Sequence, residues 1–105
     1  MATNRLGMLQ QMVEHNPGNT FARYGLAMEY ASSGNPEQAI AEFRALIEQD
    51  EDYAAAYYQG GRALEQLGRI PEARIFYEKG IAAATRKGDL HTRSEIQAAL
   101  DLLPD

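Results

Sequence analysis

The groups in this chain that could do chemistry are two histidines, fifteen carboxylates and a stripe of aromatic side chains. Cysteine is absent, which excludes disulfides, thiolate nucleophiles and cysteine-ligated metals. His15 follows Glu14 at the end of a helical stretch, and His91 opens another; neither has a second histidine three or four positions away, so metal ligation is not expected. The run Glu48-Gln49-Asp50-Glu51-Asp52 has oxygen donors, but a calcium loop needs alternating ligands around a central glycine. Gly60 falls eight residues past Asp52, inside a helical pattern, so the run reads as a solvated loop whose charge could steer a basic partner. No Ser-His-Asp set, nucleophile elbow or phosphate-cradling loop is present, and Gly60-Gly61 lies within a helix rather than opening one. The reading is a chain that is not an enzyme and takes no cofactor or metal.

That leaves the aromatic stripe, and the elements that position it recur. Gly34 is followed by Gly68, Ala39 by Ala73, Phe43 by Tyr77, Ile47 by Ile81 and Tyr24 by Tyr58, each 34 positions on. A fixed period of this size means one supersecondary unit stacked on copies of itself. Apolar residues follow helical spacing throughout, with no sustained two-residue alternation. A first helix carries Leu6, Leu9, Met12 and Val13 on one face and ends at His15-Asn16-Pro17-Gly18. A second, from about Asn19 to Ser33, buries Arg23, Leu26, Ala27 and Tyr30. The third begins at Pro36, with Asn35 expected to cap it and Gln38 to close a capping box; it buries Ala39, Phe43, Leu46 and Ile47. The fourth repeats the second through Tyr57, Gly60, Gly61 and Leu64. The fifth repeats the third from Pro71 through Ala73, Tyr77, Gly80, Ile81 and Ala84. After Gly88, a sixth helix capped by Asp89 shows Ile96, Ala99, Leu100 and Leu103 on one face. Gly60, Gly61 and Gly80 fall on inner faces, where paired helices need backbone clearance.

The order Leu26-Ala27, Tyr30, Gly34, Ala39, Phe43, and again Tyr57, Gly61, Leu64, Gly68, Ala73, Tyr77, resembles the tetratricopeptide repeat. The resemblance implies an all-α, right-handed superhelix of antiparallel helix pairs, about six helices in all with a C-terminal capping helix. Residues 1–105 then form one domain: a half repeat at 3–16, repeats at 18–51 and 52–87, and the cap at 89–103. Arg23 departs from the pattern, standing where the family usually has a large aromatic, and Gly60 replaces a usual leucine.

In the resembled family the outward face of each first helix lines a concave groove that takes a peptide or partner helix. Here that face carries Phe21, Tyr24 and Met28, then Tyr58, Arg62 and Glu65. Tyrosine, arginine and methionine suit such a surface, offering broad amphipathic area, planar donors and adaptable packing. The function implied is a non-enzymatic interaction module for a protein or peptide. The alternative is a self-associating scaffold, a homodimer through Leu6, Leu9 and Met12 of the half repeat.

Bulk properties bound the remaining classes. Net charge is −5, and residues 1–53 hold three basic against eight acidic side chains. A nucleic-acid partner, which needs a concentrated basic face, is therefore not expected. Mean hydropathy is −0.46 and no window approaches a membrane-spanning length, so no membrane partner is expected. The opening Met-Ala-Thr-Asn-Arg has no apolar signal core, which points to cytoplasmic residence.

Overall fold

Residues 4–105 are described by a computed structural model, and every regular element among them is an α-helix. The half repeat expected from residue 3 thus has its first position outside the described residues. In chain order the helices are α1 (Arg5–His15), α2 (Thr20–Ser32), α3 (Pro36–Gln49), α4 (Ala54–Gln66), α5 (Ile70–Lys87) and α6 (Leu90–Asp101).

Each helix begins and ends for a local reason. Asn4, Asn19 and Asp89 cap α1, α2 and α6, their side-chain oxygens accepting from Gly7, Ala22 and Thr92 N–H at 2.6, 3.0 and 3.1 Å. The expected Asn35 cap and Gln38 box are not formed, and the chain reversal there is closed by backbone bonds. Gly34 adopts φ 80° while its N–H donates to Ala31 C=O and the Asn35 N–H donates to Tyr30 C=O at 2.9 Å. Gly68 at φ 73° repeats the motif, with Arg69 donating to Leu64 at 2.9 Å. This double bond requires a left-handed residue, which glycine adopts without strain.

Successive helices pack antiparallel, pair upon pair. The backbones of α2 and α4 come into contact, as do those of α4 and α6, whereas those of α1, α3 and α5 stay apart. The stack therefore curves, with α2, α4 and α6 on its inner wall and α1, α3 and α5 fanned over its outer one. Its extents are 45 × 28 × 20 Å.

The core runs along the stack as clusters that half-buried Ile47 links. Ala27, Ala39, Phe43, Leu46 and Ala56 join α2, α3 and α4; Leu64, Ala73, Tyr77, Ile96 and Leu103 join α4, α5 and α6. The inner-face glycines are as tightly enclosed as their positions predict. A Cβ at Gly60 would lie 2.6 Å from Cε2 of Phe76, and one at Gly80 would lie 2.8 Å from the Tyr57 Cβ. Glycine here lets α4 and α5 approach closely enough for the aromatic rings of one to lie on the backbone of the other.

Arg23, the residue in the aromatic's place, turns inward. Its guanidinium donates to Glu42 of α3 at 2.6 Å and to Pro17 C=O at 3.3 Å, with 13% of its side chain exposed. An ion pair there replaces ring packing. On α1 the expected apolar face is only partly covered: Leu9 is buried, Leu6 and Val13 are half-buried and Met12 is 43% exposed.

Candidate partner-binding groove

The inner wall is set by α2 and α4, whose outward residues are those left over once Ala27, Gly60, Gly61 and Leu64 have turned to the core. Tyr24 is half-buried. Its ring meets Phe43 edge-on with centroids 6.1 Å apart and lies tilted against Tyr53 at 5.5 Å. Burial, followed by the nearby Tyr53, pushes its phenol above the ordinary value. Tyr58 stands one repeat on. Arg62 lies over its ring, 5.9 Å from the centroid. Among the described residues Arg62 is exposed and has neither an ion pair nor a hydrogen bond.

The six residues singled out from sequence line three adjoining hollows rather than one trough. Met28 and Arg62 bound a hollow of about 200 Å³ between α2 and α4, which Gln59 and Gln66 also line. Tyr58, Arg62 and Glu65 bound a second, of about 240 Å³, between α4 and α6. Arg62 is thus the ridge between the two. Phe21 lies elsewhere: 78% exposed, it joins Arg5, Leu9 and Met12 in a third hollow of about 260 Å³ between α1 and α2, which Tyr24 and Met28 also border. Glu65 is partly committed to the fold, because its carboxylate accepts from the hydroxyl of fully buried Tyr77. Burial and that bond together hold the Tyr77 phenol well above its ordinary value.

Two contributors escaped the sequence reading. Gln59 lies outside the six residues named from sequence yet lines the first hollow. The last helix, read only as a cap, also supplies Glu95, Ala98 and Leu102 to the second hollow. The available signal was Leu102, a leucine off the Ile96-Ala99-Leu100-Leu103 face and 84% exposed.

The other candidate chemistry disperses. In the acidic run, Asp50 Oδ1 accepts from the Asp52 N–H at 3.0 Å, and Asp52 pairs with Arg86 of α5 at 2.6 Å. This loop borders a cleft of about 640 Å³ on the outer wall between α3 and α5, where Glu48, Lys79 and Arg86 mix charges of both signs. His15 Nδ1 lies 2.8 Å from Gln11 O, and His91 lies 3.7 Å from Glu95. Among the described residues no three His, Asp or Glu side chains come together as a metal group would, and no helix is long and apolar enough to cross a membrane.

Comparison with known proteins agrees with this geometry. The tetratricopeptide repeat family profile matches residues 24–88. A TPR repeat-containing protein of Pseudomonas aeruginosa is 30% identical over 92 residues, covering 88% of each chain. A tetratricopeptide repeat domain protein from Salinibacter ruber is 38% identical, with a TM-score of 0.75 over 81% of this chain and 86% of its own. PcrH, solved in complex with the chaperone binding region of PopD, shares the fold at 18% identity, with a TM-score of 0.87 over 91% of this chain and 73% of that one. The six stacked helices among the described residues, the 34-residue period and these relatives agree: the chain belongs to the tetratricopeptide repeat family.

Proposed function

We propose that this protein is a non-enzymatic interaction module that holds an extended peptide or an amphipathic helix along its inner wall. The observation that carries the reading is Arg62. It is an exposed guanidinium, backed by the Tyr58 ring and free of ion pairs among the described residues, on the ridge between two hollows. A planar donor so placed suits a carboxylate or a peptide carbonyl, while Met28 and Tyr58 on either side offer apolar area to anchors. A bound segment would cross Arg62 and set one anchor in each hollow, with Tyr24 extending the surface toward Phe21. The PcrH complex supports the reading by analogy, since a protein of the same fold is found with a segment of another protein.

Peptide-display selection on the folded protein tests this. Enriched peptides should lose tenfold or more in affinity with Arg62→Ala or Tyr58→Ala and be unaffected by Lys79→Ala on the outer wall. Equal binding to all three variants would place the site elsewhere. Self-association through Leu6, Leu9 and Met12 is the weaker reading, because of those three side chains only Met12 is exposed.

A further inference from the structure

The third hollow, between α1 and α2, has an internal precedent. One repeat later, the α3–α4 surface is covered by α2, which buries Ala39, Phe43, Leu46 and Ala56 beneath Tyr24, Ala27, Met28 and Ala31. Subtracting 34 from those four covered positions gives Arg5, Leu9, Met12 and Ala22. All four line the open hollow. The same position that is fully buried as Leu46 is 43% exposed as Met12, and Phe21 beside it is 78% exposed. The fold therefore repeats a helix-receiving surface at this end without a described helix upon it.

We infer that this end face receives an amphipathic helix from a partner protein, seated on α1 and α2 as α2 is seated on α3 and α4. The precedent specifies the helix. Of the α2 residues packed there, Tyr24, Ala27, Met28 and Ala31 form the i, i+3, i+4, i+7 stripe of a helix lying in a groove, with Tyr30 beside it. Three of the four positions stay apolar and one changes character: Arg5 replaces Ala39, with 72% of its side chain exposed beyond its 3.0 Å pair with Glu29. The arriving helix thus meets a cation at its rim, and a carboxylate on its flank is the complement. A second copy of this chain is a poor source. Its α2 is already engaged, and α6 exposes Leu90 and Leu102 with His91, Arg93, Ser94 and Glu95 between them rather than a stripe.

The probe is α2 itself: a synthetic peptide of residues 19–33, fluorescein-labelled and hydrocarbon-stapled on its solvent side, because an unsupported helix of that length is marginal in water. Anisotropy should show saturable binding to the intact protein, weakened tenfold or more by Met12→Glu and threefold or more by Phe21→Ala, with Lys79→Ala unchanged. Both altered side chains are exposed, so circular dichroism should show an undisturbed fold. The inference is overturned by absent binding, or by equal binding to Met12→Glu. It is equally overturned if sedimentation finds a dimer that Met12→Glu dissolves, which would give the face to a second copy. Tyr24 and Met28 border both surfaces, but Arg62 and Tyr58 border only the inner wall, so Arg62→Ala and Tyr58→Ala should leave this binding unchanged and the two readings can fail separately.

Discussion

Replacing Gly80 by alanine sets two known effects against each other. Helix propensity favours the change, since glycine inside a helix costs up to about 1 kcal/mol relative to alanine. Packing opposes it. The new methyl would lie 2.8 Å from the Tyr57 Cβ and 2.9 Å from the Ile96 Cδ1, against 3.4 Å for the start of ordinary contact. A Cβ cannot rotate aside as a ring edge can, so α4 and α5 must part by about 0.6 Å at their closest point. Overpacking of this kind costs about 1–3 kcal/mol, and the anchored neighbour puts this site in the upper half of that range. Subtracting the propensity gain leaves Gly80→Ala destabilised by about 1–2 kcal/mol, a fall of about 5–10 °C in Tm. Urea unfolding at constant m-value measures it, with Ser94→Ala on the exposed face of α6 as the propensity control, expected to gain about 0.5 kcal/mol. A second variant isolates the cause. Ile96→Val removes the crowding Cδ1; alone it should cost about 1 kcal/mol, but in the Gly80→Ala background about 0.5–1 kcal/mol less. A stabilised Gly80→Ala, or strict additivity with Ile96→Val, would refute the claim that this glycine is held by clearance.

Other outcomes can be stated from the same geometry. Tyr77→Phe leaves Glu65 without its buried donor and should cost about 1–3 kcal/mol in thermal or urea unfolding. The phenols of Tyr24, Tyr53, Tyr57 and Tyr77 are all raised by burial, so the stability they carry is full below the unfolded value near 10 and is lost as pH climbs beyond it. Tm should therefore fall above about pH 10, and less steeply in Tyr77→Phe than in the parent. Arg23→Ala strands the half-buried Glu42 and should cost about 1–3 kcal/mol, whereas Glu37→Gln, which breaks the exposed pair with Arg69, should move unfolding by less than about 0.5 kcal/mol.

The fold was legible because its strongest constraints are local and repeat. Gly34 and Gly68 are needed for a left-handed turn that no other residue makes cheaply, and Ala39, Phe43 and Leu46 follow a helical period that survives addition of 34. The inner-face glycines were legible because their propensity cost demanded a reason. What escaped depends on partners distant in sequence. Arg23 reads as an anomaly until Glu42, nineteen positions on and on another helix, is seen to receive it. Asn35 has the right side chain to cap α3 and sits in the same glycine turn as Asp89, yet only Asp89 turns its side-chain oxygen onto the next helix. In the groove, residue types marked Tyr58, Arg62 and Glu65 as neighbours on one helix. Only the curvature of the stack reveals that α6 reaches in with Glu95 and Leu102, and that Phe21 belongs to the end beside Met12.

Because the backbone of each helix meets only its chain neighbours and, on the inner wall, the helix after next, the molecule is close to a one-dimensional chain of couplings. Such a chain loosens from its ends. Among the described residues α1 is secured by α2 alone, with Leu9 its one buried side chain, whereas α4 is gripped by α2, α3, α5 and α6 together. Amide protons in α1 should therefore exchange through local opening at a small fraction of the global unfolding free energy, while those of α4 and α5 wait for the whole molecule to unfold. A helix arriving at the end face would bridge α1 to α2 and slow exchange there first, so the ligand's footprint would be written as a gradient of protection running inward from the N-terminal end.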